Sequence, residues 1–123
     1  MVIAGTIFIE YLRSREKAKT TLMNLPELPL LYVSDVTVFE LFMGAKDESK
    51  WKDVETVLNP LIRLPFNYPA AVEAAKIFQH LQKQGSIIEF RDIFIAATAL
   101  VNKLPVKTLN VRDFSRIPGL ELA

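Results

Sequence analysis

Two acids in this chain stand where an acid is costly. Glu40 lies between Phe39 and Leu41-Phe42, and Asp92 heads the apolar run Ile93-Phe94-Ile95-Ala96-Ala97-Thr98-Ala99-Leu100. A carboxylate in such surroundings needs a partner. Read alone, Asp92 is also explained as an exposed residue in the first turn of a core helix, where the helix dipole favours an anion. A third polar group, Thr108-Leu109-Asn110, follows a short apolar segment near the end of the chain. If these groups converge, the carboxylates repel unless a cation joins them. A hard divalent ion, magnesium or manganese, takes one or two protein carboxylates, keeps several waters and adds a substrate phosphate. Such an ion polarises a phosphoryl oxygen and acidifies bound water, so the implied chemistry is hydrolysis of a phosphodiester. Other chemistries find less support. The chain has no cysteine, hence no thiolate nucleophile, no disulfide and no Cys-based zinc site. Its one histidine, His80, sits in the amphipathic stretch Gln79-His80-Leu81-Gln82 and reads as a surface residue.

The elements that must position these groups alternate between strand and helix. Apolar runs of strand length occur at residues 1–4, 30–33 and 61–64, with further strands expected at residues 106–108 and 120–122. Between them come helical patterns. Residues 7–13 place Phe8, Tyr11 and Leu12 inward, and residues 15–24 follow Ser14 as N-cap, stopped by Pro26 and Pro29. Residues 36–43 follow Ser34 as N-cap and end at Gly44, read as a left-handed terminator. Asp47 or Glu48 opens the next helix, through Trp51, Val54, Val57 and Leu58, and Asn59-Pro60 stops it. Asn67 caps another, with Pro69 in its first turn, a stripe of Val72, Ala75, Phe78 (or Ile77) and Leu81, and Gly85 at its end. The helix headed by Asp92 carries Ile93, Ala96, Ala97 and Leu100 on one face, and its small residues let neighbours approach closely. This alternation predicts an α/β fold with a parallel sheet covered on both faces. In such sheets ligands bind beyond the carboxyl ends of the strands. Glu40, Asp92 and the Thr108–Asn110 segment all belong at that edge.

Length and charge narrow the class. The 123 residues suit one domain, 1–123, with a full core. Net charge is +1, from 15 Lys and Arg against 14 Asp and Glu, which excludes nucleic-acid binding by bulk charge but allows a local basic patch. No apolar run reaches the roughly 18 residues of a membrane helix. The start Met1-Val2-Ile3 lacks a basic segment followed by a long apolar one, so a cytoplasmic protein without a membrane segment is expected.

Four pieces in order now carry a resemblance. They are Ile7-Phe8-Ile9-Glu10-Tyr11-Leu12, then Val36-Thr37-Val38-Phe39-Glu40-Leu41-Phe42-Met43-Gly44-Ala45, then Phe90-Arg91-Asp92-Ile93-Phe94-Ile95-Ala96-Ala97-Thr98-Ala99-Leu100, and finally Thr108-Leu109-Asn110-Val111-Arg112-Asp113-Phe114 with Ile117-Pro118-Gly119. Together they resemble the PIN-domain ribonucleases of the VapC toxin type, the toxic half of a toxin–antitoxin pair. The resemblance implies a three-layer α/β/α fold with a five-stranded, mainly parallel sheet, a magnesium or manganese ion, cleavage of RNA, and a small VapB-type antitoxin as partner. A homodimer is also common in the family. On this chain the resemblance makes Glu40 and Asp92 the metal-binding acids and adds Asn110 to them as a catalytic position. Thr6, Thr108 and Asp113 would support the site, Asp113 being more often structural. Arg13, Arg91 and Arg112 could meet RNA phosphates or be solvated charges.

The first motif departs from the pattern. The family sets Asp-Thr-Asn/Ser after the first strand, and this chain has Ile3-Ala4-Gly5-Thr6-Ile7. Either Ala4 or, with one residue deleted, Gly5 replaces the Asp. Glu10 lies more than a turn along the helix and does not stand in easily. Losing that acid implies weaker metal binding and impaired cleavage, because positioning of metal and water is most of the catalysis. A binding module that holds an antitoxin or RNA without cutting is the alternative, with Phe8, Tyr11 and Leu12 as a candidate groove or simply core. A phosphoacceptor receiver would need an acid cluster after the first strand and an Asp after the third, and the chain has neither.

Overall fold

A computed structural model of the chain describes residues 1–26 and 30–123; the expected break at Pro29 lies outside the described residues. Strands β1 (Val2–Ile3), β2 (Tyr32–Ser34), β3 (Ile62–Leu64) and β4 (Val106–Lys107) form one parallel sheet in the order β3-β2-β1-β4. The fifth expected strand is reduced to a single parallel bridge between Leu122 and Val106. It stays this short because β4 itself offers only two residues.

Side chains alternate across the strands and build two cores, one on each face of the sheet. Val2 faces α4 (Tyr68–Lys83) and α5 (Phe90–Val101), together with Leu64, Val106 and Phe114. Ile3 and Val33 face α1 (Gly5–Arg13), α2 (Asp35–Gly44) and α3 (Glu48–Leu58), in a second core with Phe8, Leu41 and Val54. The result is the expected α/β/α sandwich. The sheet order reverses between β1 and β4, which makes the crevice beyond those two strands the topological switch point.

Several local expectations hold for the reasons given. Ser34 caps α2 by accepting from Val36 N, Asp47 caps α3 through Lys50 N, and Asn67 caps α4 through Ala70 N. Gly85 ends α4 with φ +68°.

Others need correction. The helix expected over residues 15–24 is two 3-10 turns, Lys17–Lys19 and Leu22–Asn24. Side chains compete there for the backbone. Ser14 Oγ takes Glu16 N, Thr20 Oγ1 donates to Lys17 O, Glu10 Oε1 takes Thr21 N at 2.7 Å, and Asn24 Nδ2 donates to Ala18 O and Thr20 O. Gly44 is the last residue of α2 and does not adopt a positive φ. The buried stripe of α4 is Ala70, Ala74, Ile77 and Leu81, while Val72 and Phe78 remain exposed. Both sets have helical spacing, and the one that wins presents small residues to α5. That helix is buried nearly all round, from Ile93 and Ile95 through Ala99, because it is wedged between α4 and the sheet.

Candidate active site

Helices α2 and α5 belong to opposite layers and meet beyond the carboxyl edge of the sheet. Ser34 fixes the start of α2, so Glu40 emerges after one and a half turns with its side chain only 13% exposed. Asp92 sits in the first turn of α5, half-buried. Its carboxylate accepts from Asn110 Nδ2 at 3.4 Å, and the same amide donates to Asp113 Oδ2 at 3.0 Å. Asn110 opens the short helix α6 (Val111–Phe114). Its backbone N–H donates to Thr108 Oγ1 at 3.0 Å. Thr108 Oγ1 lies 3.3 Å from Thr6 Oγ1, and Leu109 N donates to Thr6 Oγ1 at 3.0 Å. The two threonines thus stitch the loop after β4 to the start of α1 across the switch-point crevice.

Glu40 has a cationic partner. Arg91 Nη1 is 3.3 Å from Glu40 Oε2, while Arg91 Nε and Nη2 both engage Glu89 Oε2, at 2.8 and 2.7 Å. The other Glu40 oxygen, Oε1, is buried without a hydrogen-bond partner among the described residues, and so is Thr37 Oγ1 one turn earlier on α2. Burial pushes the Glu40 carboxyl above its usual range; Arg91 pulls it back, and Asp92 and Glu89 push it up further. Burial likewise raises Asp92, with Glu89 adding to the rise and the Asn110 hydrogen bond opposing it. Each acid responds to its neighbours, so the site is one electrostatic unit.

The two residues at the first motif, Ala4 and Gly5, are both buried. Ala4 is 2% exposed and packs into the core beneath α5. A Cβ at Gly5, by contrast, would lie 3.7 Å from Glu40 Oε1 and 3.8 Å from Oε2. Residue 5 therefore lies beside the Glu40 carboxylate. Among the described residues no three His, Cys, Asp or Glu side chains converge closely enough to hold a metal ion.

The expected site residues do not all gather. Glu40, Asp92, Asn110, Asp113, Thr6 and Thr108 come together as described. Arg91 joins them as an ion-pair partner. Arg13 lines a cleft of about 400 Å³ between α1, α2 and α3 that also reaches Glu40 and Arg91. Arg112 is exposed on α6. Two participants went unread in the sequence: Glu89, the second clamp on Arg91, and the buried hydroxyl of Thr37. The apolar flanks of Glu40 signalled that it needed a partner; nothing in the spacing signalled which one.

The PIN domain family model matches residues 1–120 of the chain. The chain belongs to the PIN-domain family, among the VapC ribonucleases. A Ribonuclease VapC of Rickettsia bellii is 38% identical over 98 residues, covering 74% of this chain and 73% of that protein. The tRNA(fMet)-specific endonuclease VapC of Salmonella typhimurium is 30% identical over 117 residues, covering 92% and 83%. Among solved structures, VapBC-1 of nontypeable Haemophilus influenzae matches with a TM-score of 0.84 at 27% identity, covering 99% of this chain and 95% of that one. The fold is also that of VapBC2 from Rickettsia felis bound to a promoter DNA fragment, with a TM-score of 0.87 at 22% identity. No helix among the described residues of this PIN domain is long and apolar enough to cross a membrane.

Proposed function

We propose that this chain is a VapC-type endoribonuclease toxin whose site is built for a divalent cation but is impaired, because glycine stands where the family's first acid belongs. The observation that carries the reading is the approach of Glu40 and Asp92 from opposite layers at the switch-point crevice, near enough for the charge of Asp92 to act on Glu40, with Glu40 Oε1 buried and without a hydrogen-bond partner among the described residues. A buried carboxylate oxygen without a donor is costly, and a cation offsets that cost. The oxygen donors fit magnesium or manganese, which accept one or two carboxylates and fill the remaining positions with water.

Glu40 and Asp92 would hold the ion. When bound, it would polarise an RNA phosphoryl oxygen and acidify a water. Asn110 orients Asp92 by donating to it and contributes no charge. Asp113 anchors the Asn110 amide, and Thr6 with Thr108 fixes the loop that carries Asn110. With residue 5 a glycine, two carboxylates instead of three define the ion's position, and loose positioning lowers the rate. The names of the matched relatives support RNA as substrate, and the matched VapBC structures support a VapB-type antitoxin as partner. Taken together, the reading is of one PIN unit over residues 1–123 acting in the cytoplasm.

The test is cleavage of RNA by the purified chain with magnesium and with manganese. Gly5→Asp is expected to create or strongly raise metal-dependent cleavage, and Glu40→Gln or Asp92→Asn in the same background to remove it. No cleavage by Gly5→Asp over a range of RNAs and both metals would count against a nuclease. The same outcome would favour the second reading, a non-cutting module that holds an antitoxin; Gly5 itself is the observation in its favour.

A further inference from the structure

We propose that the guanidinium of Arg91 is the chain's own occupant of the cation position, and that it must let go of Glu40 and retreat to Glu89 before a divalent ion can bind. The proposal rests on the metal-site reading above and specifies how that site is regulated.

The geometry supports both halves of the statement. Arg91 touches Glu40 through one nitrogen, Nη1, at 3.3 Å. It touches Glu89 through two, Nε and Nη2, at 2.8 and 2.7 Å. The Glu89 contact uses two nitrogens on the single oxygen Oε2 and is shorter than the Glu40 contact, so it is the one kept when Arg91 moves. Arg91 is 50% exposed and can swing, whereas Glu40 is 13% exposed and fixed in the middle of α2. Arg91 covers only Oε2, and the buried Oε1 has no donor among the described residues. A guanidinium and a divalent ion on one carboxylate repel each other across a few ångströms of partly dry protein, so binding of one excludes the other. In the resting protein Arg91 therefore neutralises an acid that would otherwise be buried and unpaired. The contact also suits a site with glycine at position 5, since a single guanidinium there faces one carboxylate and not two.

The test measures Mn2+ binding to the full chain by the electron paramagnetic resonance signal of the free ion. Arg91→Gln is expected to tighten binding about tenfold or more, within the usual range of coupling between competing ligands. Arg13→Gln is the control for bulk charge, because Arg13 lines the same cleft without an ion pair to Glu40 among the described residues; it is expected to change binding by less than about twofold. Glu89→Gln removes the retreat position and is expected to weaken binding. Glu40→Gln marks the site by abolishing it. Equal binding by Arg91→Gln and the parent chain, or equal effects of Arg91→Gln and Arg13→Gln, overturns the proposal. If no variant binds Mn2+ in a manner that depends on Glu40, the metal-site reading fails and the proposal falls with it. Arg91→Lys provides a second variant: it keeps the charge but loses the fork, and is expected to fall between parent and Arg91→Gln.

Discussion

Placing an acid at residue 5 is the perturbation whose size follows most directly from the structure. The Cβ of Gly5→Asp sits 3.7 Å from Glu40 Oε1, an ordinary contact, and Gly5 is not among the positive-φ residues, so a Cβ is accommodated there without backbone strain. A separation of about 4 Å between the introduced carboxylate and that of Glu40 sets the scale. At an effective dielectric of about 20 the repulsion is about 4 kcal/mol. Arg91 and partial access of solvent reduce this to roughly 2 kcal/mol. The first-turn position on α1 returns about 0.5 kcal/mol through the helix dipole. The apo variant should thus lose about 1.5 kcal/mol, which lowers the melting temperature of a chain this size by about 6 °C. Manganese reverses the sign, because a third carboxylate now faces the ion; at about 100 times Kd, binding adds about 2.7 kcal/mol. Melting followed by circular dichroism, in EDTA and in Mn2+, is the assay. Gly5→Asp is expected to melt below the parent in EDTA and to gain about 10 °C with Mn2+, more than the parent gains. A variant that melts like the parent under both conditions refutes the placement of residue 5 beside Glu40.

Other outcomes follow from the same geometry. Ala4→Asp buries an acid in the core beneath α5 and should cost about 3 kcal/mol or more with no gain in Mn2+ binding, read by melting and by titration. For pH, both carboxyls titrate above their ordinary values of 4.5 for Glu40 and 3.8 for Asp92. The folded chain therefore holds protons that the unfolded chain releases, and stability present below the ordinary values is lost as pH rises through the raised ones. Glu40→Gln and Asp92→Asn should accordingly be more stable than the parent at neutral pH, and denaturant melts should show the difference vanishing in acid. Thr37 has a fully buried hydroxyl without a partner among the described residues, so Thr37→Val should be neutral or stabilising by about 1 kcal/mol in urea unfolding.

Much of this architecture is legible in the sequence because its signals are local. Ser34, Asp47 and Asn67 each have the side chain that takes the first free N–H of a helix, and each caps one. The strand-length runs near Val33 and Val106 do form strands, with Val33 and Val106 fully buried, although Leu30 is exposed and Leu31, Tyr32 and Lys107 are only partly buried. Glu40 and Asp92 stood out because acids in apolar surroundings ask for a partner. What the sequence hides depends on competition or on distance. The segment around Thr20 has the composition of a helix but spends its backbone groups on Ser14, Glu10, Thr20 and Asn24 side chains. The stripe of α4 could be read one residue off, since only the Ala-rich face of α5 decides which side packs. Which of the adjacent residues Ala4 and Gly5 takes the place of the family's acid is not legible in the sequence, because the spacing allows both; the nearness of residue 5 to Glu40 is a contact between residues far apart in the chain. The clamp of Arg91 between Glu89 and Glu40 joins residues about 50 apart in the chain with no spacing rule to announce it.

The central claim is that Glu40 and Asp92 form a divalent-cation site with Arg91 as its resting occupant. Anomalous diffraction from a crystal of the parent chain soaked to saturation with manganese tests it directly. The account predicts one peak between the Glu40 and Asp92 carboxylates, with Arg91 displaced and still paired to Glu89. No peak there, with Arg91 in place on Glu40 and manganese bound elsewhere or not at all, would contradict it.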